Sequence, residues 1–155
     1  MRINKFFILS ILSLALFSCE PKYEKEYNWA YPVCGDWMVK AYLDGTEIYG
    51  PFEIMTYNTS FGQDSIWIHD YATTATNGHF WSFKVKAAVD MKTLTFQTEG
   101  SINAIAGYPI VIKVSNGRVI NKDSITMELE FEDDPGTIYQ LAGHRETSYE
   151  EYMEQ

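Results

Sequence analysis

The stretch VCGDWMVKAYLDG, residues 33–45, predicts how this 155-residue chain folds. After Gly35, the residues of one parity are all apolar: Trp37, Val39, Ala41 and Leu43. Residues two apart lie on the same face of a β-strand, so this alternation predicts a strand with one buried face. The Asp-Gly pair at 44–45 is typical of a tight hairpin turn. The stretch therefore predicts a strand that turns back on an antiparallel neighbour.

The same alternation recurs to the end of the chain, and helical periodicity is almost absent. It is clearest at 125–132, where four apolar residues alternate with one threonine and three glutamates. Turn sequences such as Asn116-Gly117 and the Asp-Asp-Pro-Gly run at 133–136 separate the segments. Eight strands are predicted, at 37–43, 52–59, 65–70, 81–87, 93–97, 110–114, 125–132 and 137–145.

The links between these segments are too short for crossover helices, so the strands are expected to form a mostly antiparallel meander. Eight strands with single apolar faces either stack as two sheets or close into one barrel. The periodicity alone does not distinguish these two architectures.

The N-terminal segment is typical of an export signal. Arg2 and Lys5 precede an apolar run of about 12 residues at 6–17, which is shorter than the roughly 20 apolar residues that span a bilayer. Ser18 then stands directly before Cys19, a pair that resembles the lipobox of bacterial lipoproteins. The resemblance implies cleavage before Cys19 and acylation of the new N-terminus, which would anchor the protein in a membrane.

The predicted organisation is a signal peptide at 1–18, a lipidated cysteine with a tether at 19–31, one β-domain at 32–147 and a C-terminal tail at 148–155. The chain has 12 basic and 21 acidic residues, a formal net charge of −9. This balance argues against nucleic acid and against direct adsorption to anionic lipid, since both need clusters of Lys or Arg. Once Cys19 is acylated no disulfide pair is left, and Cys34 is predicted to be a small buried side chain.

Gly35-Asp36-Trp37 at the start of the first strand and Arg145 at the end of the last resemble the arrangement of lipocalins and calycins. The resemblance implies an all-β fold, an eight-stranded antiparallel up-and-down barrel. Trp37 would lie in its closed end beneath the Arg145 side chain, with Gly35 leaving room at the base. A guanidinium stacked on an indole is worth about 0.5–2 kcal/mol, and closure removes both exposed sheet edges.

A narrower resemblance covers most of the chain. The lipobox, Gly-Asp-Trp, YNTS at 57–60, DSI at 123–125 and the ending YQLAGHRETSYEEY are similar to a family of small Gram-negative lipoproteins described as lipid-binding putative hydrolases. The family ending is nearer Gly-His-Arg-x-Thr-Gly-Phe, where this chain has Ser148 and Tyr149. The resemblance implies a lipid-anchored protein of the outer membrane that binds a small hydrophobic ligand. It brings no catalytic residues with it.

Apolar residues of inward parity are the best candidates for ligand contacts. If Trp37 faces inward, the apolar face of every other strand does too, which gives five expected lining residues: Trp81, Phe83, Phe96, Met127 and Phe131. An eight-stranded barrel is just wide enough to be filled by side chains or to hold one small ligand. The sequence leaves both outcomes open.

Two other functions stay open. Tyr57 and Trp67, of ambiguous parity, could form an outer aromatic platform through which an accessory lipoprotein binds glycans or proteins. A hydrolase would use His69 and Asp70 with a serine, but strand neighbours point to opposite faces and no Gly-x-Ser-x-Gly elbow is present. No closely spaced metal ligands occur. Neither a catalytic set nor a metal nor a cofactor is predicted.

Overall fold

The computed structural model describes residues 28–70 and 79–146. The predicted signal peptide at 1–18, the lipidation site Cys19 and the tail at 148–155 lie outside these residues. A 3₁₀ turn, Tyr31–Val33, precedes eight strands: β1 (Gly35–Leu43), β2 (Thr46–Asn58), β3 (Ser65–Asp70), β4 (Lys84–Asp90), β5 (Thr95–Ile102), β6 (Val111–Ile120), β7 (Ser124–Phe131) and β8 (Asp134–Arg145). No helix in this described part is both long and apolar enough to cross a bilayer.

Each strand pairs antiparallel with the next, and β8 returns to pair with β1, so the sheet closes into a barrel. The prediction of an all-β, eight-stranded antiparallel barrel is confirmed, and the two-sheet alternative is excluded. The register places Trp37 opposite Arg145 across the β1–β8 seam. Gly143 fits this seam because a Cβ there would overlap the backbone of Met38.

The core lies inside the barrel. In β7 the four apolar residues are buried, and the residues between them are more exposed, as the alternation predicts. Burial of apolar surface is worth about 25 cal/mol per Å², so this inward face stabilises the closed form. Every strand contributes to one buried cluster, for example through Val39, Ile54, Ile68, Val85, Phe96, Ile112, Leu129 and Leu141.

The fourth strand begins later than the alternation of apolar residues predicts. The pattern predicts a strand from Trp81, but β4 begins at Lys84. Ser82 adopts a φ of 52°, in the left-handed region, and its N–H points to the Asp70 carboxylate instead of a strand neighbour. Phe83 still accepts the Asp70 N–H through its carbonyl oxygen at 2.8 Å, whereas the residues before it form a separate segment rather than part of the wall.

The hairpin predicted at Asn116-Gly117 is wrong as well. The pair lies inside β6, where the register against β7 shifts in a bulge, and the turn follows at 121–123. Asn116 has a positive φ of 52° at this bulge, a backbone conformation that asparagine tolerates. A Cβ on Gly117 would overlap the Phe96 ring. The Asn-Gly pair therefore forms a bulge that packs over the buried ring of Phe96.

The barrel has two different ends. The closed end carries the 3₁₀ turn, the start of β1 and the links at 59–64, 91–94 and 121–123. The opposite end, called the mouth below, is bounded by the β1–β2 turn at 44–45, the segment at 79–83, the loop at 103–110 and the turn at 132–133.

Candidate functional site

Trp37 lies at the closed end and is fully buried. Its indole Nε1 donates to Thr56 Oγ1 at 2.8 Å, and Thr56 Oγ1 donates to the Val33 carbonyl oxygen at 2.6 Å. The central carbon of the Arg145 guanidinium lies 4.2 Å from the centre of the indole, a cation–π contact worth about 0.5–2 kcal/mol. The indole is held at its edge and covered on its face.

Arg145 joins three parts of the closed end. Its Nη1 donates to the Cys34 carbonyl oxygen at 2.7 Å, and its Nε donates to the Lys122 carbonyl oxygen at 2.9 Å. Gly35 leaves the space for this side chain, since a Cβ there would overlap the guanidinium. The structure thus brings Gly35, Trp37 and Arg145 into one cluster that fixes the ends of β1 and β8.

Cys34 is a half-buried free thiol beside this cluster. Burial raises its pKa to about 11, which outweighs the opposite effect of the Arg145 charge. A thiol with that pKa is protonated at neutral pH, whereas nucleophilic catalysis needs the thiolate. The environment of Cys34 therefore favours a packing role.

The five residues expected to line the barrel are spread along its length. Four of them are at most 2% exposed, and Trp81 is half-buried. Trp81 stacks on Phe131 with ring centres 4.4 Å apart, and Phe83 meets Phe131 edge-on at 6.1 Å. Phe96 lies toward the closed end, and Met127 lies midway along the wall. Three of the five therefore meet at the mouth.

Two adjacent aromatic residues, Phe80 and Trp81, fill the mouth and are called the plug below. The Phe80 ring lies 5.7 Å from that of Phe52 and 5.4 Å from that of Tyr139. Tyr49, which is 38% exposed, contacts Phe80 at 5.8 Å. Aromatic pairs at such distances are worth about 0.5–1.5 kcal/mol each beyond their burial. Rings from β2 and β8 therefore hold Phe80, and β7 holds Trp81 through the stack described above.

A buried carboxylate holds the backbone of the plug. Asp70, the last residue of β3, is fully buried, and its Oδ2 accepts hydrogen bonds from three successive N–H groups, those of Phe80, Trp81 and Ser82, at 2.8, 3.0 and 3.2 Å. His79 Nδ1 lies 3.3 Å from Asp70 Oδ1 and 3.0 Å from its carbonyl oxygen. Burial raises the pKa of Asp70, although the N–H groups of Trp81 and Phe80 and the nearby His79 oppose the shift. The Asp70 carboxylate therefore accepts the N–H hydrogen bonds that a neighbouring strand would accept in a sheet.

A second set of hydrogen bonds holds the Trp81 side chain. Its indole Nε1 donates to the Tyr108 hydroxyl at 2.7 Å, and that hydroxyl donates to Asp133 Oδ2. At the start of β8, the Tyr139 hydroxyl donates to Asp134 Oδ2 at 2.6 Å, and this bond, with burial, raises the pKa of Tyr139 to about 12. Burial and the Asp133 carboxylate raise the pKa of Tyr108. Both phenols stay protonated at neutral pH.

Tyr57 and Trp67 form a cross-strand pair of β2 and β3 on the outer wall. The Lys84 ammonium lies 4.9 Å from the centre of the Trp67 ring and 5.6 Å from that of Tyr57, so it covers part of this surface. His69 Nδ1 lies 3.4 Å from the Tyr57 hydroxyl, and burial together with the Lys84 charge lowers the pKa of His69. Asp70 is buried on the opposite side of β3, and its carboxylate bonds to the backbone of the plug instead of to the ring of His69.

Other candidate chemistry is sparse in the described ranges. Within residues 28–70 and 79–146, no three His, Cys, Asp or Glu side chains lie close enough to hold a metal ion. His79 is paired with Asp70, and no serine, threonine or cysteine of those same ranges hydrogen-bonds to its ring. Four grooves of about 340, 350, 420 and 430 Å³ lie on the outside, lined mainly by outward-facing side chains.

The residues that hold the mouth are not expected from the sequence pattern. The alternation predicts a strand from Trp81 and gives Phe80 no role, although a strand extended to Phe80 would leave one of the two adjacent rings facing outward. That conflict is the signal that could have found the plug. Tyr108 and Asp133 meet because β6 pairs with β7, which brings the loop before β6 next to the turn after β7, and no local pattern links the two residues.

Comparison with known protein families identifies a family that covers most of the chain. Residues 22–150 match the family described as lipid-binding putative hydrolase. A search of curated proteins found no match. The matched range includes both ends of the barrel, and a closed barrel with an apolar interior is compatible with a lipid-binding role. The chain therefore belongs to this family of lipid-binding putative hydrolases.

Proposed function

We propose that this protein is a lipid-anchored protein of the bacterial cell envelope that binds one small apolar or amphipathic molecule inside its barrel. The observation that carries the proposal is the apolar inner wall, to which all eight strands contribute. In the described residues, no buried side-chain nitrogen or oxygen lacks a hydrogen-bond partner. Such a wall favours apolar contact, where each buried CH₂ is worth about 0.8 kcal/mol. The family description agrees with this ligand class.

The proposed ligand contacts are the lining residues at two depths. Trp81, Phe83 and Phe131 lie at the mouth, whereas Met127 and Phe96 lie deeper. An elongated ligand reaching inward from the mouth would encounter Trp81 first and then contact the other four residues in order of depth. An eight-stranded barrel holds one small ligand at most, so a stoichiometry of one per chain is expected.

Anchoring at Cys19 in the outer membrane is part of the proposal. It is supported by the apolar run at 6–17 and by the Ser18-Cys19 pair. Asn28, the first described residue, lies near the end of β2 at the closed end, with its side-chain amide 3.4 Å from that of Asn58. A tether there would leave the mouth accessible. Cys19→Ser should move the protein from the membrane to the soluble fraction, and retention in the membrane would contradict the anchor.

The calycin-like class of the barrel belongs to the same proposal. The Trp37–Arg145 contact at the closed end supports it.

Ligand binding is tested by filling the interior. Ala87 is fully buried on the inner face of β4, and its neighbour Ala88 is exposed. Native mass spectrometry and titration with a neutral fluorescent apolar probe, N-phenyl-1-naphthylamine, should show one ligand per chain, with binding at least tenfold weaker in Ala87→Leu. Ala88→Leu adds the same side chain outside and should bind like wild type, with circular dichroism checking both folds. Absence of binding, or equal effects of both changes, would refute a ligand inside the barrel.

A further inference from the structure

The plug occupies the route by which an apolar ligand would reach the interior. Phe80 packs against Phe52 and Tyr139, and Trp81 stacks on Phe131, so these two rings fill the mouth. Aromatic rings in close packing leave no space for a further group between them. A ligand that enters from the mouth must therefore displace them.

The segment that carries the plug is attached differently from the wall. The ladder between β3 and β4 ends at the His69–Lys84 pair, followed by one backbone bond from the Asp70 N–H to the Phe83 carbonyl oxygen at 2.8 Å. Beyond Phe83, the N–H groups of Ser82, Trp81 and Phe80 bond to the side chain of Asp70. Asn103, which is 2% exposed, donates from Nδ2 to the Ser82 carbonyl oxygen at 3.1 Å. The partners of Phe80, Trp81 and Ser82 are side chains, so these three residues can move outward while Phe83 and every strand pair of the barrel keep their backbone bonds.

We propose that the plug is displaceable: the ligand takes the place of the Phe80 and Trp81 rings, and Asp70 is the latch that keeps the segment closed in its absence. This inference rests on the proposed function, because it assigns that ligand a position and a route. All three N–H groups use Oδ2 of Asp70, so one oxygen atom accepts all three of these backbone hydrogen bonds in the closed position.

The groups left behind by the plug define the polar end of the ligand. When the Trp81 indole leaves, the Tyr108 hydroxyl loses a donor but still donates to Asp133. A ligand hydroxyl or amine can replace the indole N–H, whereas a carboxylate cannot. A carboxylate would also face Asp133 and Asp134, and like charges at short distance repel. The ligand is an apolar chain or ring with a donor head group, such as a long-chain alcohol or a monoacylglycerol.

Binding kinetics of the full chain test the latch. The probe is N-phenyl-1-naphthylamine, a neutral apolar amine that fluoresces in apolar surroundings, mixed in a stopped-flow instrument. Asp70→Ala removes the acceptor oxygen, so the open fraction rises and association should be on the order of tenfold faster than in wild type. Asp70→Asn keeps one oxygen that can accept the same three bonds and should bind at the wild-type rate.

The outcomes separate the two proposals. Equal association rates for wild type and Asp70→Ala would overturn the latch while binding itself stands. No binding by wild type or either variant would overturn the proposed function and the latch together.

Hydrogen exchange of the unmodified chain keeps the inference testable even if Asp70→Ala does not fold. With saturating N-phenyl-1-naphthylamine, the amides of Phe80, Trp81 and Ser82 should exchange faster than in the free protein. The amide of Val85, within β4, should keep its protection. Unchanged or slower exchange at the three plug amides, with the probe bound, would overturn displacement of the plug.

Competition against the same probe tests the head group. At pH 8, 1-dodecanol should displace the probe at a lower concentration than dodecanoate does, and Tyr108→Phe should reduce the advantage of the alcohol. Stronger competition by dodecanoate would overturn the assignment of a donor head group.

Discussion

The closed end and the mouth each centre on a tryptophan, and the comparison shows what makes one of them architectural. Trp37 donates its indole N–H to Thr56, and Trp81 donates its own to Tyr108, at 2.8 and 2.7 Å. Trp37 belongs to β1, whose backbone pairs on both sides with β2 and β8. Trp81 lies outside every ladder. The same side-chain bond therefore secures the wall at one end and holds a separable segment at the other.

Each tryptophan also depends on one charged side chain that binds backbone groups. Arg145 donates to two carbonyl oxygens, whereas Asp70 accepts from three N–H groups. Arg145 reinforces strand ends that are already paired. Asp70 provides most of the backbone bonds of a segment that has no strand partner. Loss of the first should change stability, and loss of the second should change opening.

The largest effect is expected from Trp37→Ala. Removing a fully buried indole should lower the free energy of unfolding by about 3–5 kcal/mol, as measured by urea denaturation. Trp81→Ala is the matched change at the mouth and should cost less, about 1–2 kcal/mol, because Trp81 is half-buried. Equal losses at the two positions would break the distinction between the ends.

Arg145→Lys should have the next largest effect. Lysine keeps the charge but loses the fork that reaches the Cys34 and Lys122 carbonyl oxygens and the flat contact with Trp37. A loss of about 2 kcal/mol is expected from urea denaturation. Arg118→Lys, at an exposed position in β6, is the control and should stay within about 0.5 kcal/mol of wild type.

A smaller effect is expected from the pH dependence of Asp70. Burial raises its pKa above the ordinary 3.8, so the folded protein binds this proton more tightly than the unfolded chain does. Stability should therefore fall as pH rises through the interval between the unfolded and the folded pKa. Asp70→Asn has no such titration, so wild type should lose stability relative to the variant over that interval.

Urea midpoints of both proteins across acidic and neutral pH measure this difference, in which the other carboxylates largely cancel. A wild type that gains stability over Asp70→Asn as pH rises would show that the three N–H bonds and His79 outweigh burial. In that case the latch would be stronger in the ionised form.

The wall could be predicted from the sequence because its signal is local. In β7, Ile125 and Met127 alternate with polar residues, and burial follows the alternation residue by residue. Closure could not be read from the same pattern, since a sandwich satisfies it equally. The suggestion of a barrel came from the resemblance at Gly35, Trp37 and Arg145.

The mouth could not be predicted because its bonds leave no residue pattern. Asp70 binds main-chain N–H groups, which every residue except proline has, and the positive φ of Ser82 is unusual for serine. The Tyr108–Asp133 contact joins residues 25 positions apart. The alternation of Trp81 and Phe83 predicts a strand from residue 81, whereas β4 begins only at Lys84 in the three-dimensional structure.

The smallest predicted effect marks where the plug segment gives way to the wall. Lys84 is the first residue of β4, and its ammonium covers Tyr57 and Trp67 and lowers the pKa of His69. Lys84→Ala should therefore raise the pKa of His69 toward its ordinary 6.5, as followed by NMR titration, and cost about 0.5 kcal/mol of stability. Lys86→Ala, two residues further along the same face, should leave the pKa of His69 unchanged. Equal pKa changes in both variants would mean that general surface charge acts on His69, and that Lys84 is not fixed at the start of the wall.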